Sequence, residues 1–122
     1  MNRDCCLVVT TLDTKDAAVS LGRAVVQARL AACAQVVGPI ASLFWWKGKV
    51  EEAEEWQCHF KTAVVRFAEL RDFISEKHPY EVPELTATPI IDGNPEYLDW
   101  IRTETAPSPT TVFPRGDGGS PR

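Results

Sequence analysis

Between Lys77 and Glu84 the chain reads Lys77-His78-Pro79-Tyr80-Glu81-Val82-Pro83-Glu84, which gathers a histidine, a phenol and three charged side chains around two prolines. Proline fixes its own φ and restricts the residue before it, so this segment is a stiff loop. Rigid loops are where folds present functional groups. An imidazole and a carboxylate suit a divalent cation, and a phenol and a carboxylate can exchange protons. The same groups beside aromatic walls can orient a small ligand. The competing reading is a stiff connection in which Tyr80 packs and Glu84 saturates backbone donors.

Little else in the sequence offers chemistry. There is no phosphate-binding glycine loop, nucleophile elbow, His-Glu-x-x-His or calcium loop, and the chain has only two histidines. With no activated nucleophile or oriented base in view, the reading is of a protein that is not an enzyme. The four cysteines, Cys5, Cys6, Cys33 and Cys58, form no Cys-x-x-Cys unit. They read as small buried hydrophobes. Adjacent strand residues point to opposite faces, so neither Cys5/Cys6 nor Cys58/His59 makes a chelating pair.

The elements that must position the loop follow from hydrophobic period. Cys5 to Thr11 reads as a strand buried on both faces. Asp13 is placed as the N-cap of a helix running to Leu30, with Ala17, Ala18, Leu21, Val25 and Ala28 at helical spacing. Cys33 to Trp46 is a long strand, bent or bulged at Gly38-Pro39, and Lys47-Gly48-Lys49 supplies the turn. The return strand alternates Trp56, Cys58 and Phe60 with Gln57, His59 and Lys61. That alternation fails earlier, because Val50, Glu52 and Glu54 share the parity of Trp56. Either a bulge resets the register or Glu51 to Glu55 projects into solvent, where glutamates discourage sheet aggregation. A second helix carries Phe67, Leu70 and Ile74 and ends before Pro79, which puts His78 at a helix end. Leu85 to Ile91 is a short strand that Pro89 confines to an edge or bulge. Asn94-Pro95 then starts a helix bearing Tyr97, Leu98 and Ile101.

This βαββαβα order is that of an α+β, ferredoxin-like βαββαβ sandwich with an additional C-terminal helix. Its helices lie on one sheet face, and the bare face, with Leu43, Trp45 and Trp46 on the long strands, is read as packing against other subunits. The 122 residues allow one domain, assigned to residues 1–105. The last 17 residues hold four of the nine prolines and three of the seven glycines, so residues 106–122 read as a disordered tail. A net charge of -4 disfavours nucleic acid as a partner. The longest uncharged stretch, Leu30 to Trp46, is broken by Gly38-Pro39 and is too short for a spanning helix, so no membrane role is expected. With no secretory signal apparent, the expected location is cytoplasmic.

His78-Pro79-Tyr80-Glu81-Val82-Pro83-Glu84, followed by Pro89-Ile90 and Tyr97-Leu98-Asp99-Trp100, resembles the signature of the CutA family, the divalent-cation tolerance proteins. Leu30-Ala31-Ala32-Cys33-Ala34, Trp46-Lys47-Gly48-Lys49-Val50-Glu51 and Phe60-Lys61-Thr62 fall in the family's order and spacing. The resemblance spans about residues 5–104. It implies a ferredoxin-like subunit in a tight, PII-like homotrimer, and a role in the response to metal ions with copper or another divalent cation as ligand. A thiol proposed as a ligand in some members aligns with Thr10, and a histidine that can precede the His-Pro-Tyr motif is Lys77. His78 and Glu84 remain as the motif-matched ligands, which would make a weak copper site. The alternative is a PII-like signalling or scaffolding trimer that binds a small anionic ligand or a protein partner in an intersubunit cleft. Trp46, Tyr80 and Trp100 would supply aromatic walls, Lys61 the cation and Glu84 the polar counterweight.

Overall fold

A computed structural model describes residues 4–107, and the expected tail lies, beyond Pro107, outside the described residues. Strand β1 (Cys5–Leu12) leads into helix α1 (Lys15–Gln27), and strands β2 (Cys33–Trp46) and β3 (Lys49–Ala63) form a long hairpin. Helix α2 (Phe67–Lys77), strand β4 (Thr86–Pro89) and helix α3 (Pro95–Thr105) complete the order. The sheet runs β2-β3-β1-β4 with every neighbouring pair antiparallel. That is the ferredoxin-like arrangement read from the sequence.

Local chemistry explains most boundaries. Thr14, rather than Asp13, caps α1, its hydroxyl accepting from the Ala17 N–H at 3.0 Å. The helix stops at Gln27, short of Leu30, where Arg29 adopts φ 63° and turns the chain into β2. Asn94 caps α3 with Pro95 in its first turn, as expected. At the hairpin tip Lys47 and Gly48 both have positive φ (50° and 81°), the geometry of a two-residue turn that matches strand twist. β4 is shorter than expected, ending at Pro89 opposite Cys6 on the sheet edge.

The core lies between the sheet and helices α1 and α2. Cys6, Val8, Leu12, Cys58 and Phe60 meet Ala18, Leu21, Val25, Leu70 and Ile74. Burying a leucine- or phenylalanine-sized side chain in such a layer contributes about 1.5–3 kcal/mol. Gly22 allows α1 to approach closely, since a Cβ there would sit 3.1 Å from that of Ala34 and 3.3 Å from Cys58 Sγ. Cys5 points to the opposite face and packs with Leu98 and Ile101 of α3. The C-terminal helix therefore covers one end of the face expected to be bare. The rest of that face is mixed rather than uniformly apolar: Gln35, Gln57, His59 and Lys61 share it with Leu7 and Val9.

The irregularity lies in β2. Val37 pairs with Gln57 and Ile40 with Glu55, so Gly38-Pro39 adds one residue opposite Trp56 and reverses the facing of everything after it in β2. β3 itself is continuous. Its first seven residues pair with β2 alone and form an arm beyond the end of β1. Leu43, Trp45 and Val50 stand on one side of that arm, exposed by 66%, 75% and 58%, with Phe44 and Trp46 on the other.

Candidate functional site

The loop after α2 is tied down by its own polar groups. His78 forms the C-cap of α2 and is buried. Its Nδ1 accepts the Tyr80 backbone N–H at 3.1 Å, which leaves Nε2–H to donate to the Thr11 carbonyl at 2.9 Å. Burial holds this imidazole below the ordinary histidine pKa, against the opposing influence of the Thr11 carbonyl, Asp13 and Glu55. At the far end of the loop, the fully buried Thr10 donates its hydroxyl to the Glu84 carbonyl at 2.6 Å. Between these anchors the Tyr80 hydroxyl donates to Glu55 Oε2 at 2.7 Å. Burial first, and then the Glu55 carboxylate, push the Tyr80 hydroxyl well above the ordinary tyrosine range, so it remains a donor at neutral pH.

This loop and the arm enclose a cleft of about 790 Å³. Leu43, Phe44, Trp45 and Trp46 line it from β2, Glu51 and Glu55 from β3, and Tyr80, Glu81 and Glu84 from the loop. Glu55 is the residue that sequence reasoning missed. The sequence groups it with Glu51, Glu52 and Glu54 as a solvated edge; those three are exposed, whereas Glu55 is only 8% exposed. Parity is only a partial signal, since it places Glu55 on the face of Gln57, His59 and Lys61 but places the exposed Glu51 there as well.

Of the five residues expected around one cleft, Trp46, Tyr80 and Glu84 line it. Lys61 lies six residues along β3 from Glu55, roughly 20 Å at strand rise, and its Nζ donates to Gln35 Oε1 at 2.6 Å. Trp100 packs beside Tyr97, ring centroids 5.5 Å apart, in the α3 cluster with Cys5. Within one chain these two do not join the other three.

The donor set does not fit a preformed copper site. Both ring nitrogens of His78 are engaged, Thr10 is bonded to the loop, and Glu84 presents an exposed carboxylate without a nearby thiol or imidazole in the cleft. Among the described residues no three His, Cys, Asp or Glu side chains are grouped to hold a metal ion. Burial raises the thiol pKa of Cys5 and Cys6 and pushes Cys58 up to about 12. Cys33 is half-buried, 3.6 Å from the Tyr97 hydroxyl.

Comparison with known proteins gives the chain its relatives. The family model described as CutA1 divalent ion tolerance protein matches residues 6–104. The divalent-cation tolerance protein CutA of Thermus thermophilus is 39% identical over 99 residues, which cover 81% of this chain and 96% of that protein. Human protein CutA is 42% identical over 106 residues, but these span only 59% of its length. The structure of a CutA from Archaeoglobus fulgidus, described as periplasmic, superposes with a TM-score of 0.80 at 36% identity, covering 83% of this chain and 98% of that one. With nearly all of the folded region matched in sequence and in structure, the chain belongs to the CutA1 divalent ion tolerance protein family.

Proposed function

We propose that this protein is a homotrimeric, metal-ion-responsive member of its family, acting as a binding protein through the cleft rather than by holding copper in a dedicated site. The cleft carries this reading: three side-chain hydrogen bonds pin one wall to β1 and β3, and about 790 Å³ falls within the range of small-molecule sites. The exposed Leu43, Trp45 and Val50 support assembly, because an arm so apolar is poorly suited to water. Copper then binds weakly, through exposed carboxylates such as Glu84 or the half-buried Cys33 thiol. A reducing, cytoplasmic setting accords with four free cysteines. Among the described residues no helix is long and apolar enough to cross a membrane.

The alternative, an anionic ligand or a protein partner held between subunits, draws its support from Lys61. It requires the Lys61 of a neighbouring subunit to reach Tyr80, since the chain's own Lys61 is far along β3. Sedimentation velocity tests the assembly, and a folded monomer at micromolar concentration refutes it. Calorimetric titration with copper tests the site. Submicromolar stoichiometric binding that survives replacement of all four cysteines, yet is lost in His78→Ala or Glu84→Ala, would overturn the proposal.

A further inference from the structure

Glu55 is a carboxylate more than nine-tenths buried whose one hydrogen-bond partner among the described residues is neutral. Oε2 accepts from the Tyr80 hydroxyl, while Oε1 takes no hydrogen bond among the described residues and is not closed off from solvent. A carboxylate so largely enclosed is stabilised by a counter-charge. None arrives from the cleft lining, which contains Glu51, Glu81 and Glu84 but no lysine, arginine or histidine. Four carboxylates between low-dielectric walls focus a negative potential, so an anion is disfavoured and a cation is drawn in.

The walls identify the kind of cation. Phe44, Trp46 and Val82 give the cleft apolar and π surfaces that a hydrated metal ion would not use. The four carboxylates come from two positions on β3 and two on the loop, and they are not grouped with the convergence a divalent ion requires. An ammonium or guanidinium on an apolar stem satisfies both features, placing charge at Glu55 and hydrocarbon against the aromatic rings. Trp46 already receives a cation on one face, Lys47 Nζ lying 5.7 Å from the ring centroid, so its indole is suited to such contact.

We propose that this cleft is a binding site for a small organic cation, an alkyl- or arylalkyl-ammonium or guanidinium compound, whose charge pairs with Glu55 and whose stem packs on Phe44 and Trp46. The inference rests on the reading of the cleft as the ligand site and specifies what that site selects.

The probes are butylammonium, phenylethylammonium and the anionic phenylpropionate, titrated into the intact assembled protein by calorimetry and tryptophan fluorescence. Both ammonium compounds are expected to bind saturably, phenylethylammonium more tightly, and phenylpropionate not at all. Glu55→Gln should weaken ammonium binding at least tenfold while circular dichroism and oligomeric state stay unchanged. Glu84→Gln, at an exposed position remote from any folding role of its carboxylate, should weaken it two- to threefold and serves as a second readout if Glu55→Gln folds poorly. Ammonium binding unaffected by either substitution overturns the site. Binding of phenylpropionate alone overturns the cation class and leaves the cleft as a ligand site. Absence of binding by all three probes overturns both, including the case in which a neighbouring subunit's own side chain fills the cleft.

Discussion

Replacing Tyr80 by phenylalanine removes one oxygen and leaves the ring, so it isolates the bond from the Tyr80 hydroxyl to Glu55. That bond is 2.7 Å long and Glu55 is 8% exposed, and among the described residues the hydroxyl is the one hydrogen-bond donor to a carboxylate largely enclosed at the cleft wall. Hydrogen bonds to charged groups contribute about 1.5–3 kcal/mol, against about 0.5–1.5 for neutral pairs. Tyr80→Phe should therefore cost about 2 kcal/mol at pH 7. In a Glu55→Gln background the same change removes a neutral bond and should cost about 1 kcal/mol. The double-mutant cycle then yields a coupling of about 1 kcal/mol. Urea denaturation at one fixed protein concentration gives these values without confounding from assembly. A loss below about 0.5 kcal/mol for Tyr80→Phe, the range of ordinary surface substitutions, would refute the claim that Tyr80 holds a buried charge in place.

Gly38→Ala should destabilise by about 1–3 kcal/mol, because the new Cβ would stand 2.6 Å from Trp56 Cε3 and 3.2 Å from the Glu55 carbonyl; an unchanged urea midpoint would contradict it. For His78, whose folded pKa lies below the ordinary value of about 6.5, the unfolded chain takes up the proton first. Its contribution is thus complete above about pH 6.5 and is lost as pH falls through the lower folded value. Urea midpoints from pH 8 to 5 should decline over that window, and His78→Gln should flatten the decline; equal slopes in both proteins would exclude His78 as the cause. Deleting residues 108–122 should leave the thermal midpoint and the assembly unchanged, since that segment supplies little apolar area. A lower midpoint or dissociation would show that the segment docks.

How much of this was legible varies with the range of the interaction that decides it. The bounds of β2, the Asn94-Pro95 start of α3 and the end of α2 before Pro79 depend on adjacent residues, and the sequence carries them. The burial of Cys58 and Phe60 follows from a two-residue period that β3 keeps unbroken. Three features were not legible because their causes are distant. The extra residue at Gly38-Pro39 reverses the side of the arm on which each of Leu43, Phe44, Trp45 and Trp46 stands, and a bend in the sequence does not disclose the register on either side of it. The placement of α3 over Cys5 depends on which sheet face α1 and α2 leave available. Glu55 differs from its neighbouring glutamates only because Tyr80, 25 residues away, folds back upon it. For the same reason, Lys61 stands off the helix-facing core, yet its parity with Glu55 says nothing about the distance between them.

The cleft follows from strands of unequal length. β2 and β3 have 14 and 15 residues, whereas β1 has eight and β4 four. Pairing between β1 and β3 ends at Leu12 opposite Trp56, so Glu55 is the first residue of β3 beyond the reach of β1. The chain entering β4 must cross that end, and its two prolines restrict the crossing to a narrow set of backbone shapes. The crossing then replaces the missing strand with side chains: His78 takes the Thr11 carbonyl, Thr10 takes the Glu84 carbonyl, and Tyr80 reaches Glu55. A strand at that position would have brought a ladder of backbone bonds and no concavity. The loop leaves an acidic hollow between itself and the aromatic side of the arm, and in that hollow the buried carboxylate has an oxygen that no described residue satisfies. The feature that sets the shape of the fold here is the one that sets its binding preference.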